Sequence, residues 1–138
     1  MPGGMIVIPA EGMKKKLVIG VFENDSINRF IYKRMVKLQP EKVDAHIFED
    51  HNEGLEKVQD INPDVLFVDL HMHGEHLGGI EWIRTMKSVL PHTRFVAMTT
   101  LVQKDDCETA INAGFTLCIE KPLPFYDMDN LLKQLSAN

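Results

Sequence analysis

The sequence predicts an α/β protein built on a doubly wound, five-stranded parallel sheet, and two patterns favour that fold class. Short apolar runs alternate along the chain with segments whose apolar residues recur at helical spacing. Most of these runs are continuously apolar, which is typical of strands covered on both faces by helices. At 138 residues the chain is long enough for one domain with a stable core.

The predicted elements alternate regularly, with each strand followed by a helix. The predicted strands cover residues 16–22, 43–48, 65–69, 95–98 and 115–119. The predicted helices cover residues 26–38, 52–60, 80–90 and 103–113, and a last helix begins near Pro124. The inward-facing stripe of the first helix is predicted to be Ile27, Phe30, Ile31, Met35 and Leu38. Right-handed crossovers then give the strand order 2-1-3-4-5 of a flavodoxin-like (βα)5 sandwich.

Composition limits both the domain organisation and the function classes. Residues 1–13, which contain several glycines and prolines, are expected to form a loose N-terminal extension, and residues 14–138 one folded domain. The formal net charge of −5 argues against nucleic-acid binding by this domain, and no stretch has the length and apolarity of a membrane span. Cys107 and Cys118 match no metal or redox motif, so we expect Cys118 to be a buried thiol in a reducing, cytoplasmic setting.

Polar residues of complementary chemistry stand at the ends of four apolar runs. Glu23 and Asn24 follow the first run, and Asp69 closes the third. Thr99 ends the fourth run, and Lys121 follows the fifth. Because the carboxyl ends of parallel strands share one edge of the sheet, these side chains are expected to meet in one pocket. Such a pocket suits a divalent cation and the transfer of a phosphoryl group to Asp69.

Taken in order, these motifs resemble those of the receiver domains of two-component response regulators, similar to chemotaxis regulators. The resemblance extends over about residues 14–135. It rests on residues 23–26 with Arg29, 63–72, 98–100, 113–115 and 121–122. Each motif alone is weak evidence. Five in the right order, each at a strand end or a helix stop, make the resemblance specific.

The resemblance implies that Asp69 is the phosphoacceptor, which takes a phosphoryl group from a sensor histidine kinase or a histidine phosphotransfer protein. It also implies Mg²⁺ as cofactor, bound by Glu23, Asn24, Asp69 and the backbone carbonyl of His71. Asn24 stands where the family usually has a second acidic residue, so weaker metal binding is expected. A register shifted by one residue would place Asp25 in the pocket instead.

The resemblance also assigns roles to two further residues. Lys121 is implied to pair with Asp69 and then with the phosphoryl group, aimed by a cis Lys121–Pro122 peptide. The Thr99 hydroxyl is implied to report phosphorylation to the surface formed by the fourth helix, the fifth strand and the last helix. That surface would bind a downstream protein target and is the family's usual surface for homodimers. The implied function is signal relay, with Mg²⁺-dependent self-phosphorylation and slow autodephosphorylation but no metabolic enzyme activity.

Two departures from the family pattern keep an alternative function open. Asn24 carries no charge, and Cys118 occupies the position of the family's usual switch aromatic. Both favour a pseudo-receiver, a protein-binding module of the same fold that acts without phosphorylation. A second alternative is a hydrolase of related topology, which would need His71 or His73 as an acid beside the nucleophile Asp69.

The loop after Asp69 is rich in histidine and glycine. It contains His71, His73 and His76. Imidazoles at such short spacing chelate Zn²⁺ or Ni²⁺ in many proteins. The simpler interpretation is a solvated, glycine-rich loop without a metal.

Overall fold

The computed structural model describes residues 17–38, 43–49, 51–121 and 130. The strands are β1 (Leu17–Phe22), β2 (Val43–Phe48), β3 (Val65–Asp69), β4 (Arg94–Thr99) and β5 (Leu117–Glu120). They form one parallel sheet in the order β2-β1-β3-β4-β5. The predicted fold class and strand order are therefore confirmed. The expected extension over residues 1–13 and the predicted cis Lys121–Pro122 peptide lie outside the described residues, and of the last predicted helix only Asn130, which is helical, is described.

The helices follow the predicted alternation with small shifts at their ends. They are α1 (Ser26–Lys37), α2 (His51–Ile61), α3 (Gly78–Val89) and α4 (Lys104–Ala113). A short 3-10 helix, Met72–Gly74, lies in the loop between β3 and α3. Among the described residues, no helix is long and apolar enough to cross a membrane.

The start of the fifth strand was predicted two residues too early, because Phe115 belongs to the end of α4. Gly114 follows α4 with a φ of 122°, which glycine adopts without the steric cost of a side chain. The Phe115 amide then donates a hydrogen bond to the Ala110 carbonyl, and its ring is buried. This hydrophobic contact closes the helix before the chain enters β5.

Side chains alternate between the two faces of the sheet and build one core on each. Leu66 and Val68 of β3 join a core with Ile83 of α3. Phe67 points to the opposite face and joins a core with Tyr32 of α1. This arrangement explains why β3 is apolar at consecutive positions, since both of its faces are covered.

The predicted inward stripe of α1 was only partly right, since Ile31 and Met35 pack against the core but the other three members are exposed. Tyr32, which was not part of that stripe, is completely buried. Ile27, Phe30 and Leu38 are instead 67%, 63% and 81% exposed. The apolar residues of α1 are distributed around more than one side of the helix, so spacing alone does not fix its rotation. The large ring of Tyr32 packs in the core, and this contact sets the rotation of α1.

Strand register brings the predicted functional residues to one edge of the sheet. Phe22 of β1 pairs with Val68 of β3, so the residues that follow them, Glu23 and Asp69, lie at the same level. The same edge carries the end of β4, where Thr99 pairs with Glu120 of β5. The pocket at this edge therefore follows from parallel pairing alone.

Candidate functional site

The centre of the site is the ammonium group of Lys121, held between two carboxylates. Its Nζ donates hydrogen bonds to Asp69 Oδ2 at 3.0 Å and to Glu23 Oε2 at 3.1 Å. The backbone amide of Lys121 donates to the Thr99 carbonyl at 2.8 Å, which fixes the chain just after β5. The sheet thus holds one cation and two anions in direct contact.

Burial strengthens the interactions in this trio. Glu23 is 1% exposed, and the side chain of Lys121 is 8% exposed. Burial by itself lowers the pKa of Lys121, but the hydrogen bonds and charges of Asp69 and Glu23 outweigh it and raise the pKa above its usual value of 10.5. Lys121 is therefore charged at neutral pH. With both acids ionised, the trio carries one uncompensated negative charge.

Local contacts explain why Glu23 and not Asp25 occupies the pocket. The Glu23 amide donates to the Phe48 carbonyl at 3.0 Å, which extends the pairing of β1 with β2 by one residue. Arg29 Nη1 donates to the Glu23 carbonyl at 3.1 Å. Asp25 is exposed and stands at the start of α1, where its amide donates to Glu23 Oε2 at 3.3 Å. The structure thus buries the Glu23 carboxylate, whereas the shifted register would have placed Asp25 in the pocket.

Asp69 is positioned by the loop that follows it. Its Oδ1 accepts a hydrogen bond from the His71 amide at 2.9 Å, which leaves Oδ2 facing Lys121. The first turn of α3 lies close to the Asp69 backbone, because Gly79 in that turn has no side chain. A Cβ at Gly79 would lie 2.6 Å from the Asp69 carbonyl oxygen, closer than real contacts allow.

Two predicted site residues are near this edge without joining the trio. Thr99 is buried, but its hydroxyl donates to the Leu101 carbonyl at 3.2 Å and accepts from the Leu101 amide at 3.4 Å. Asn24 is exposed. Among the described residues, neither side chain hydrogen bonds to the trio. The His71 carbonyl, the predicted backbone ligand, accepts the Gly74 amide at 3.0 Å.

Comparison with known proteins identifies the family to which this fold belongs. The family model for the response regulator receiver domain matches residues 19–135. This chain belongs to the receiver domain family. The resemblance read from the sequence is thereby confirmed. Receiver domains are signalling modules rather than metabolic enzymes, and they interact with histidine kinases and with downstream effectors.

The matched relatives are much longer proteins than this chain. The receiver domain is 28% identical over 123 residues to sensor protein EvgS of Escherichia coli O157:H7, covering 89% of this chain and 10% of the relative. It is 30% identical over 112 residues to protein-glutamate methylesterase/protein-glutamine glutaminase 1 of Myxococcus xanthus, covering 80% of this chain and 32% of the relative. The chain therefore spans a third or less of these two proteins.

Solved structures show the same fold at low sequence identity. A response regulator from Thermotoga maritima has a TM-score of 0.73 at 19% identity, with 88% of this chain and 99% of that chain covered. A response regulator from Burkholderia pseudomallei, determined with a phosphorylated aspartic acid, calcium ion and citrate, has a TM-score of 0.68 at 16% identity. That match covers 87% of this chain and 66% of that chain.

The oxygen atoms of this receiver domain's pocket fit a Mg²⁺ ion, which receiver domains typically bind there. Glu23 Oε1 is buried and makes no hydrogen bond, although it lies 3.0 Å from Lys121 Nζ. The Lys121 ammonium balances only one of the two carboxylates it contacts, so a second cation would balance the negative charge that remains. Asp69 supplies a second carboxylate at the same place. Hard oxygen ligands of this kind are those that Mg²⁺ prefers.

Cys118, which the resemblance places at the family's switch-aromatic position, is held in a covalent bond. Cys118 of β5 forms a disulfide with Cys107 of α4, with Cα atoms 5.7 Å apart. The prediction of a buried thiol at Cys118 was wrong, since the residue is half-buried and bonded. The turn at Gly114 brings β5 back alongside α4, which places two cysteines 11 residues apart within bridging distance. The argument for a reducing compartment from these cysteines therefore has no support in the structure.

Proposed function

We propose that this receiver domain accepts a phosphoryl group on Asp69 from a phosphohistidine and relays the signal through a change in conformation. The observation that supports the proposal is the buried Lys121 ammonium in contact with both Asp69 and Glu23. Such an arrangement is costly to build in a protein interior, and a purely structural role would be served as well by apolar residues. It is suited to a site that must stabilise additional negative charge.

The chemistry follows from the positions of these groups. A carboxylate oxygen of Asp69 attacks the phosphorus of the donor, the P–N bond breaks, and its electron pair stays on the departing imidazole. Lys121, already 3.0 Å from Asp69 Oδ2, neutralises negative charge on the transferred group. Glu23 and Asp69, with Asn24 and the His71 carbonyl as further ligands, would hold a Mg²⁺ ion, which would supply additional charge neutralisation. The protein contributes alignment and electrostatics rather than acid–base catalysis.

Thr99 gives a route from phosphorylation to a change in shape. Its hydroxyl now closes a small ring with the Leu101 backbone. Turning that hydroxyl toward a phosphoryl oxygen on Asp69 breaks both bonds to Leu101. The segment between β4 and α4 is then free to move, and it carries the exposed residues Leu101 and Val102. We propose that a downstream protein target recognises this altered surface, with a homodimer through the same surface as a further outcome.

The pseudo-receiver alternative is favoured by two observations. Asn24 is uncharged and exposed, so the pocket has one ionic metal ligand fewer than is usual in the family. The position of the switch aromatic is held in the Cys107–Cys118 disulfide, and a disulfide sulfur is unable to swing as a ring does. In this alternative, Lys121 and its two acids hold the edge of the sheet together, and a partner binds without phosphate.

Beryllofluoride with Mg²⁺ separates the two functions, because it forms a phosphoryl-like adduct only on a competent aspartate pocket. Amide chemical shifts of the wild type are expected to change around Asp69 and Thr99, and Asp69→Asn is expected to abolish the change. Asp60→Asn, an exposed position on α2, serves as the matched control and should respond like the wild type. An unchanged wild-type spectrum at saturating reagent would rule out the phosphoacceptor function in favour of the pseudo-receiver.

A further inference from the structure

A second cluster of potential metal ligands lies outside the Asp69–Lys121 pocket. One ligand atom from each of His71, His76 and Asp106 lies within 4.8 Å of the other two. His71 and His76 belong to the loop between β3 and α3, whereas Asp106 is on α4. We propose that these three residues form a binding site for a transition-metal cation, with Zn²⁺ as the best match, that ties this loop to α4.

The distances within the cluster are close to those of a tetrahedral zinc site. Zn²⁺ binds imidazole nitrogen and carboxylate oxygen at about 2.0–2.2 Å, so two ligand atoms at a tetrahedral angle are about 3.4 Å apart. His76 Nε2 and Asp106 Oδ1 are already 3.4 Å apart. The three ligand atoms of the His71, His76 and Asp106 cluster are at most 4.8 Å apart. The His71 nitrogen therefore has to move about 1.4 Å at most to reach tetrahedral spacing.

The type of ligand selects the class of metal. Two imidazoles and one carboxylate suit Zn²⁺, Ni²⁺ or Cu²⁺, whereas Mg²⁺ and Ca²⁺ prefer oxygen ligands throughout. The rings of His71 and His76 stack with centroids 5.1 Å apart and an angle of 14° between their planes, so one ring has to turn before both nitrogens face the same ion. His76 is exposed and the side chain of Asp106 is 16% exposed, so water has access to a fourth position.

Metal binding at His71 has a structural consequence for the loop. His71 Nδ1 accepts a hydrogen bond from the Leu77 amide at 3.0 Å. A neutral imidazole has only one unprotonated nitrogen, so a metal bound at either nitrogen removes that acceptor. Leu77 has a left-handed backbone with φ of 59° and immediately precedes α3. Binding therefore releases the Leu77 amide, and the loop must rearrange as the metal binds.

This rearrangement would reach the phosphoacceptor. The His71 amide donates to Asp69 Oδ1 at 2.9 Å, so His71 contacts the Asp69 pocket with its backbone and the metal with its ring. A cation between the loop and Asp106 restrains the same segment that positions Asp69. The effect on Asp69 depends on the proposed function, but metal binding itself does not.

Calorimetric titration of the full chain with Zn²⁺, under non-reducing conditions and with excess Mg²⁺, tests the site. We expect one Zn²⁺ per chain, with affinity reduced about tenfold or more in His76→Ala and in Asp106→Asn, because loss of even an outer-shell partner costs 10–100-fold. His46→Ala is the matched control. His46 Nε2 also lies 3.3 Å from a carboxylate oxygen, that of Asp44, but outside the cluster. This variant should bind Zn²⁺ like the wild type.

Two further measurements distinguish this site from the phosphoacceptor pocket. The Leu77 amide is expected to show a large chemical-shift change on addition of Zn²⁺, and Asp69→Asn should retain Zn²⁺ binding. The proposal is wrong if the wild type binds no stoichiometric Zn²⁺, if both cluster variants bind as tightly as the wild type, or if Asp69→Asn abolishes binding. Beryllofluoride binding without Zn²⁺ tests the proposed function separately.

Discussion

Replacing Lys121 with methionine isolates the electrostatic contribution of the pocket. Methionine retains most of the aliphatic length of lysine and removes the ammonium group. Glu23, which is 1% exposed, and Asp69, whose side chain is 17% exposed, are then left facing each other without a cation. Breaking a buried ion pair by removing one partner costs about 3–5 kcal/mol. Because Asp69 retains some access to water, we expect a loss of about 3–4 kcal/mol in the free energy of unfolding.

Urea unfolding at pH 7 in the presence of a chelator measures this loss. Asp69→Asn is the comparison, because Lys121 keeps its contact with Glu23 and the loss is expected to stay within about 1 kcal/mol. Mg²⁺ should stabilise Lys121→Met, by about 2.7 kcal/mol at a concentration 100 times the dissociation constant. A Lys121→Met variant within about 1 kcal/mol of the wild type would refute the view that this ammonium compensates a buried negative charge.

The difference in unfolding free energy between the wild type and Lys121→Met depends on pH, and the pKa of Lys121 fixes the direction of that dependence. The pKa of Lys121 is raised above 10.5 in the folded state, so its stabilising contribution is fully present below the unfolded-state pKa. It is lost only as the pH rises through the folded-state pKa. The lysine's contribution to the stability gap between the wild type and Lys121→Met should therefore be constant from pH 7 to about pH 10 and shrink above that range.

The disulfide and the glycine behind Asp69 give two further predictions. Reduction of the Cys107–Cys118 disulfide should lower the free energy of unfolding of the wild type by up to about 3 kcal/mol, the value expected for a loop closed over 11 residues. The same treatment should leave the denaturant midpoint of Cys107→Ser unchanged. Equal midpoints for oxidised and reduced wild type would contradict this. Gly79→Ala should cost about 1–3 kcal/mol and weaken beryllofluoride binding, because its Cβ meets the Asp69 carbonyl oxygen. Gly54→Ala, whose Cβ meets the Phe22 ring instead, should lose stability but retain the adduct.

The fold was predictable because the apolar runs carry the information that determines it. Strands covered on both faces have no polar alternation, and β3 and β4 were placed within a residue of their observed ends. Prediction was weaker where apolar residues serve another purpose. Phe115 extends the apolar run of β5 in the sequence, but it packs as the closing contact of α4. On α1, spacing gave no means to choose Tyr32 over Ile27 as the buried residue.

The trio of charged residues was predictable in identity because parallel strands end at one edge of the sheet. Its detailed contacts were not, since they depend on side-chain conformation. Thr99 turns to the Leu101 backbone, and Asn24 faces solvent. Partners from distant parts of the chain were also missed. Neither the Cys107–Cys118 bond nor the contact of His76 with Asp106 has a signal in the sequence, because both require the packing of α4.

The hydrogen bonds of Lys121 also connect very distant parts of the polypeptide. Its partners Glu23 and Asp69 lie 98 and 52 residues earlier in the chain. Contacts of such high sequence separation close long loops, and this closure costs entropy before any contact rewards it. During synthesis, Asp69 is made long before its cation, so a nascent or truncated chain lacks the pocket. Under the proposed function, only a completely folded molecule accepts a phosphoryl group, and partly folded copies do not compete for the phosphodonor.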